Sequence, residues 1–357
     1  MKAKKVLAML LCLCMVVALA ACGAAKPEEP KEVEYKLGMG VVVNMDSSAT
    51  GNAQIDATVA AVVTGADGKI VSCRLDVAQN KMNVTDGAVD TAQSFKTKME
   101  LGDDYGMASS PYSPDNNGDG KVLEWYEQAK AFETYVTGKT ADEVAAMTTK
   151  EVNGHQISTD DALLSAGCTI QIGDFRDAVV KACRDEQGMS FKTASASAFT
   201  LGVAAKTTAA ESTAAADEQD GVVKMYSDFA AAVMVDGKIV AALNDAIQPN
   251  ITVDASGEIV DTAFKGTKRE LKEGYGMAGS PYSPDNNGDG KVLEWYEQSA
   301  AFSKYVVGKT AVEVEDMKTK EVNGHQISAD DALLSAGCTI QITSICAVMA
   351  QAANNAR

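Results

Sequence analysis

The stretch YGMASSPYSPDNNGDGKVLEWYEQ, which begins at Tyr105, returns at Tyr275 with a single change, Ser109 to Gly279. EVNGHQIS at Glu151 returns at Glu321, and DALLSAGCTIQI at Asp161 returns letter for letter at Asp331, each pair 170 residues apart. An internal repeat this long constrains the chain more than any composition, because both copies must fold to one and the same unit. The match thins toward the front of each copy but stays traceable. YKLGMGVVV at Tyr35 parallels FTLGVAA at Phe199, and ADGKIVSCRLD parallels VDGKIVAALND. The copies therefore fall at residues 35–190 and 198–350, with their boundary near Gln187–Ala198, QGMSFKTASASA. The Ala/Thr-rich stretch Ala204–Asp220 reads as a loop between the first two strands of the second copy. Roughly 155 residues per copy is an ordinary domain size with room for a core.

The front half of each copy reads as strands. Gln54–Thr64 is rich in Ile, Val and Thr, Asp67-Gly68 is a hairpin signal, and Lys69–Val77 alternates with period two. Phe229–Val235, Asp236-Gly237 and Lys238–Leu243 repeat that arrangement. The back half reads as helices. Trp125, Ala129, Phe132 and Val136 recur at helical spacing within Val122–Val136. Thr140–Glu143 and Thr310–Glu313 have the form of capping boxes, and Asp174 is expected to cap a helix whose apolar face includes Phe175, Ala178, Val179 and Cys183. Between them, the kink Ser165-Ala166-Gly167 leads into a strand-like segment. There Cys168, Ile170 and Ile172 should point one way, Thr169 and Gln171 the other. Strands first and helices after predict an α+β fold of two tandem homologous domains, each an antiparallel sheet covered on one face by helices.

The N-terminus reads as a targeting segment. Lys2, Lys4 and Lys5 precede an apolar run from Val6 to Ala20, shorter than the ~20 residues a membrane span needs. It ends in Leu19-Ala20-Ala21-Cys22, which resembles the lipobox of a bacterial lipoprotein. That resemblance implies a signal peptide over residues 1–21, lipid attachment at Cys22, and residence on the extracytoplasmic face of a bacterial membrane, with residues 22–34 as a disordered polar tether. Cleavage removes three lysines and takes the formal net charge from −17 to −20, which argues against nucleic acid as a partner. Beyond the signal and Cys22 the cysteines are Cys73, Cys168, Cys183, Cys338 and Cys346, an odd number without a C-x-x-C, so buried thiols are expected.

A DGKIV hairpin, followed by the Gly-small-Thr turn and helix of AGCTIQIGDFRDAVVKA, resembles the FMN-binding domain family of extracytoplasmic flavoproteins and lipoproteins. In that family FMN is often esterified through its phosphate to the Thr of an Asp-x-x-Ser/Thr-Gly-Ala-Thr-x-Ser/Thr motif. The resemblance places Gly167, Cys168 and Thr169 of the first copy, and Gly337, Cys338 and Thr339 of the second, at the Gly-Ala-Thr positions. It implies bound FMN and a redox partner. The chain departs from the motif at Ala166 and Ala336, where a hydroxyl is expected, and at Gln171 and Gln341, which replace its closing Ser/Thr. The alternative is a non-enzymatic surface binding or adhesion lipoprotein that keeps the architecture without flavin and is stabilised by calcium.

PDNNGDGKVLEW carries a second pattern. Asp115, Asn117 and Asp119, with Asp285, Asn287 and Asp289 in the other copy, alternate ahead of a glycine, as in the front of an EF-hand Ca2+ loop. The closing bidentate Glu is absent, since Tyr126 stands at position twelve, and an Asn/Gly-rich turn capping the Trp125 helix explains the same residues. His155 and His325 sit in Asn-Gly hairpin turns. Trp125 and Trp295 suit either a core stripe or a ring-stacking wall. No nucleophile elbow, P-loop or zinc-protease motif occurs, so no catalytic residue is assigned.

Overall fold

The computed structural model describes residues 32–109, 115, 118–216, 218–279, 285 and 288–357. The signal segment, Cys22, nearly all of the tether, Asn117 and Asn287 lie outside the described residues. The protein is mixed α/β with antiparallel sheets. In the first copy, β1 (Val33–Asn44), β2 (Asn52–Gly65) and β3 (Ile70–Asn83) form a meander, and the Asp67-Gly68 turn joins β2 to β3. The short helices α1 (Lys98–Leu101) and α2 (Trp125–Val136) follow, and then α3 (Ala141–Ala145). The hairpin β4 (Thr149–Val152) and β5 (His155–Ser158) turns through Asn153 and Gly154, both at positive φ. Helices α4 (Asp161–Ser165) and α5 (Gly173–Cys183) complete the copy.

The second copy repeats this plan with β7 (Thr200–Thr208), β9 (Tyr226–Val235) and β10 (Lys238–Ile247) as its meander. It continues through α6 (Lys268–Leu271), α7 (Trp295–Tyr305), α8 (Ala311–Glu315), the hairpin β13 (Thr319–Val322)–β14 (His325–Ser328), α9 (Asp331–Ser335) and α10 (Thr343–Asn354). Between the meanders lies β6 (Met189–Thr193). A small sheet of β8 (Gly221–Val223), β11 (Asn250–Val253) and β12 (Ile259–Ala263) is peculiar to the second copy.

Period-two burial explains the layering. Along β2, Ile55, Ala57, Val59, Ala61 and Val63 point to one face, while Ala60 and Val62 point to the other. The first set meets Leu201, Val203, Phe229, Ala231 and Val233 of the second copy in one continuous core. The second set packs under α2 and α5 through Trp125, Phe132, Phe175 and Val179. Helices α7 and α10 cover the outer face of the other sheet in the same way. Each sheet is thus covered on both faces rather than one: by its own helices outside and by the other copy inside. Gly38 and Gly40 of β1 let α5 approach, because a Cβ at Gly38 would lie 1.9 Å from the Ala182 carbonyl oxygen. Gly202 serves α10 identically, at 1.9 Å from the Ala352 oxygen, which accounts for the repeated Leu-Gly pair.

Several expectations need correcting. The boundary segment contains β6, which pairs with β1 from Val33↔Thr193 to Leu37↔Met189 and so closes the first sheet. The front of Ala204–Asp220 belongs to β7, because its alternate residues Val203 and Ala205 fill the shared core. Helix α2 starts at Trp125, with Glu124 as the N-cap in a capping box with Glu127. The capping boxes at Thr140 and Thr310 form as expected. Residues 168–172 are not a strand and join no sheet; their one backbone bond to β5 is from the Ile172 amide to the Gln156 carbonyl, at 3.3 Å. They cross the helix layer as an irregular segment, with Cys168, Thr169 and Ile172 buried and Gln171 exposed. Asp174 does not cap α5: the N-cap position is Ile172, with no side-chain bond, and Asp174 lies in the first turn. The five cysteines are free thiols, all buried but the half-buried Cys183.

Candidate functional site

The two copies build the same cavity. In the first copy it measures about 370 Å3 and lies between the outer face of β2–β3, the start of α2, the tip of β5 and the segment 169–175. Its counterpart in the second copy measures about 340 Å3. Both fall at the small end of the ~300–1,000 Å3 typical of small-molecule sites. Matched residues line them: Lys98 and Lys268, Met107 and Met277, Trp125 and Trp295, Gln128 and Gln298, His155 and His325, Thr169 and Thr339.

Buried Gln128 sets the irregular segment in place. Its Oε1 accepts the Thr169 amide at 2.8 Å and the Thr169 hydroxyl at 3.2 Å, and its Nε2 donates to the Leu123 carbonyl at 2.9 Å. Gln298 does the same for Thr339 and Leu293, at 2.8, 3.2 and 2.8 Å. A non-repetitive segment can be buried here because a side chain amide replaces the missing ladder partners. Gly167 takes φ +97°, and its amide donates to the Leu164 carbonyl, while that of Cys168 donates to Leu163. Gly337 and Cys338 repeat these bonds.

The lysine is positioned from beneath. Asp76 of β3 accepts the amides of Val77, at 2.7 Å, and Met99, at 3.1 Å, which pins the start of α1 and with it Lys98. Asp245 accepts the amides of Ala246 and Arg269 at 2.8 and 3.0 Å. Burial pushes both carboxyls up to about 6, against the pull of Thr97 and these amides at Asp76 and of Arg269 and Thr267 at Asp245. The Lys98 Nζ then stands 4.9 Å from the Tyr105 ring centre and 5.6 Å from that of Trp125. Lys268 is 5.0 and 5.3 Å from Tyr275 and Trp295. Such cation–π contacts hold an ammonium over an apolar wall.

Of the residues the sequence singles out, Thr169 and Thr339 line the cavities. Cys168 and Cys338 are fully buried away from them, with thiols pushed up to about 12 by desolvation. Gly167 and Gly337 pack against Leu123 and Leu293. The amides at positions 167 to 169 are thus all bonded within the protein. The histidines, read from sequence as plain hairpin turns, sit exposed at the cavity rims. Trp125 is both core and wall, packed edge-on against Phe175 at 5.7 Å. The loop pattern forms a turn. The Asp115 carboxylate accepts the amides of Gly118 and Asp119 at 2.8 and 3.1 Å and of Gly120 at 2.5 Å, and Asp285 does likewise. Among the described residues no group of three His, Cys, Asp or Glu side chains is placed to hold a metal. Sequence reasoning missed Lys98, Gln128 and the cavity carboxylates. The retained Lys98/Lys268 and Gln128/Gln298 pairs were the available signal.

Searches against known protein families, characterised proteins and solved structures find no significant match. No described helix is long and apolar enough to cross a membrane.

Proposed function

We propose that this chain is a lipid-anchored, extracytoplasmic binding protein that takes up one small molecule in each of two equivalent cavities. The observation that carries the reading is the duplication of the cavity itself, with its lysine, tryptophan, glutamine, histidine and threonine, in a chain whose strands have diverged between copies. Packing requirements alone explain retained apolar residues. They do not explain a retained half-polar hollow. Anchoring through Cys22 puts these cavities outside the membrane. The finer architectural reading, two tandem homologous α+β domains over residues 35–190 and 198–350, belongs to the same proposal and treats the shared core as the product of a duplication.

A flavin is the second reading. Thr169 and Thr339 on walls that also carry a tryptophan favour it, and it would make the protein an electron-transfer module with a redox partner. Commitment of the Thr169 amide and hydroxyl to Gln128 weighs against phosphate attachment there. Titration of the purified protein with FMN and with a panel of amino acids, followed by calorimetry, tests both readings. Binding of two molecules per chain, reduced to one by Gln171→Trp, which fills one cavity from an exposed position, is the expected result. Absence of saturable binding by every probe contradicts the proposal. Membrane fractionation of Cys22→Ala tests the anchor: the variant should be released, and unchanged retention contradicts it.

A further inference from the structure

The cavities differ in one instructive way. On β2, Thr58 pairs with Val77, the residue after Asp76; on β9, Asp228 pairs with Ala246, the residue after Asp245. Thr58 and Asp228 are therefore equivalent positions. Facing them from the helix layer are Asp174 in α5 and Ser344 in α10, each the second residue of its helix and 170 positions apart. All four line the cavities. The first copy thus places a hydroxyl on the strand and a carboxylate on the helix, and the second places the carboxylate on the strand and the hydroxyl on the helix. Both changes together leave one carboxylate and one hydroxyl at this strand–helix spot, while Asp56 also lines the first cavity and Glu211 the second. Either change alone would leave two carboxylates or none.

The opposite charge in each cavity is Lys98 or Lys268. No ion pair joins Lys98 to Asp174, or Lys268 to Asp228, among the described residues. Each lysine is instead held over its aromatic pair by the pinned helix start, and no protein donor among the described residues bonds the Asp174 carboxylate. The lysine still acts through space. Burial raises both carboxyls, and at Asp174 the Asp177, Asp56 and Asp46 charges add to the rise; the lysine charge opposes it in both cavities, together with the Ser344 hydroxyl at Asp228. Two opposite charges kept apart across one hollow, neither joined to an opposite charge, are each partly desolvated, an arrangement that costs free energy unless a ligand completes it.

Resting on the small-molecule reading, we propose that each cavity recognises a small zwitterion, an α-amino acid or dipeptide with an apolar side chain. Its carboxylate meets Lys98 or Lys268, and its ammonium meets Asp174 or Asp228. Its side chain lies along the apolar wall of Trp125, Met107 and Val122, or of Trp295, Met277 and Val292. A charge-assisted contact at each end selects for both charges at once. A flavin mononucleotide offers the anionic end but no ammonium, and the carboxylate repels its phosphate.

The test compares L-phenylalanine and L-leucine with phenethylamine and 3-phenylpropionate, each of which lacks one charge, by calorimetry on the full protein. The amino acids should bind two per chain, at least tenfold more tightly than either single-charge analogue. Asp174→Asn and Lys98→Met should each remove one of the two sites. The exchange Thr58→Asp with Asp174→Ser, which copies the second cavity into the first, should restore the site that Asp174→Asn loses. Equal affinity for phenylalanine and 3-phenylpropionate, or loss of binding in the exchange variant while its melting temperature is unchanged, overturns the inference. Saturable FMN binding with no response to any amino acid overturns it while leaving the binding reading standing. Failure of every probe removes both.

Discussion

Gln128→Leu probes the contact on which the cavity depends. The substitution nearly preserves volume, so it removes polar partners without opening a large void. It takes away the acceptor of the buried Thr169 amide and hydroxyl and the donor to the Leu123 carbonyl. The hydroxyl can turn to another acceptor, but the amide and the carbonyl are fixed by the backbone. Each buried group left without a partner costs about 1–3 kcal/mol. Two of them, offset by about 1 kcal/mol for the more apolar side chain, give a net loss of about 1–5 kcal/mol. Because the copies share one core, urea unfolding followed by tryptophan fluorescence should show a single transition whose midpoint falls with little change in slope. Gln298→Leu should cost the same, and Gln171→Leu, at an exposed neighbour, should stay within about 0.5 kcal/mol. A loss below about 0.5 kcal/mol for Gln128→Leu would refute the claim that this amide holds the segment in place.

Arg269→Ala strips the half-buried Asp185, whose side chain is only 9% exposed, of the guanidinium that reaches it from the other copy at 3.0 Å, and should cost about 3 kcal/mol in the same assay. The Met39 amide, bonded to the same carboxylate at 3.1 Å, should then exchange its hydrogen faster. Asp76 and Asp245 hold their protons more tightly folded than unfolded. Their contribution is therefore fully present below pH ~4 and lost as pH rises toward 6, up to about 3 kcal/mol each. Asp76→Asn with Asp245→Asn should flatten that part of the stability profile, and an unchanged profile contradicts the assignment. If the Asp115 and Asp285 turns hold Ca2+, millimolar calcium should raise the melting temperature by mass action, and Asp115→Ala should lower the gain. No shift at several millimolar removes the calcium reading.

Much of the fold is legible in the sequence because its signals are local. The Asp-Gly and Asn-Gly turns, the Thr-x-x-Glu boxes and the Trp125–Val136 stripe each depend on a few neighbouring residues, and each forms where expected. Misreadings occur where a distant partner decides. The segment after Gly167 alternates like a strand, but Gln128 supplies the bonds that a ladder would have given. Met189–Thr193 looks like a boundary because its partner, β1, lies at the far end of the copy. The sheet faces alternate correctly, yet nothing local says that the inner face of one copy meets that of the other. The site shows the same division. Thr169 was marked by its repeated stretch, whereas Lys98 and the exchanged pair Thr58/Asp174 and Asp228/Ser344 become a site only once strand register and helix phase bring them together.

The chain has two tryptophans, and each lines one of the two cavities. Fluorine NMR of the 5-fluorotryptophan protein therefore reports on both sites at once. Titration with L-phenylalanine or FMN, whichever binds in calorimetry, should move the Trp125 and Trp295 resonances together and saturably. Gln171→Trp should be labelled in parallel, and its Trp125 signal should no longer respond. Binding that leaves both original resonances unmoved would place the ligand elsewhere and contradict the account of two equivalent sites.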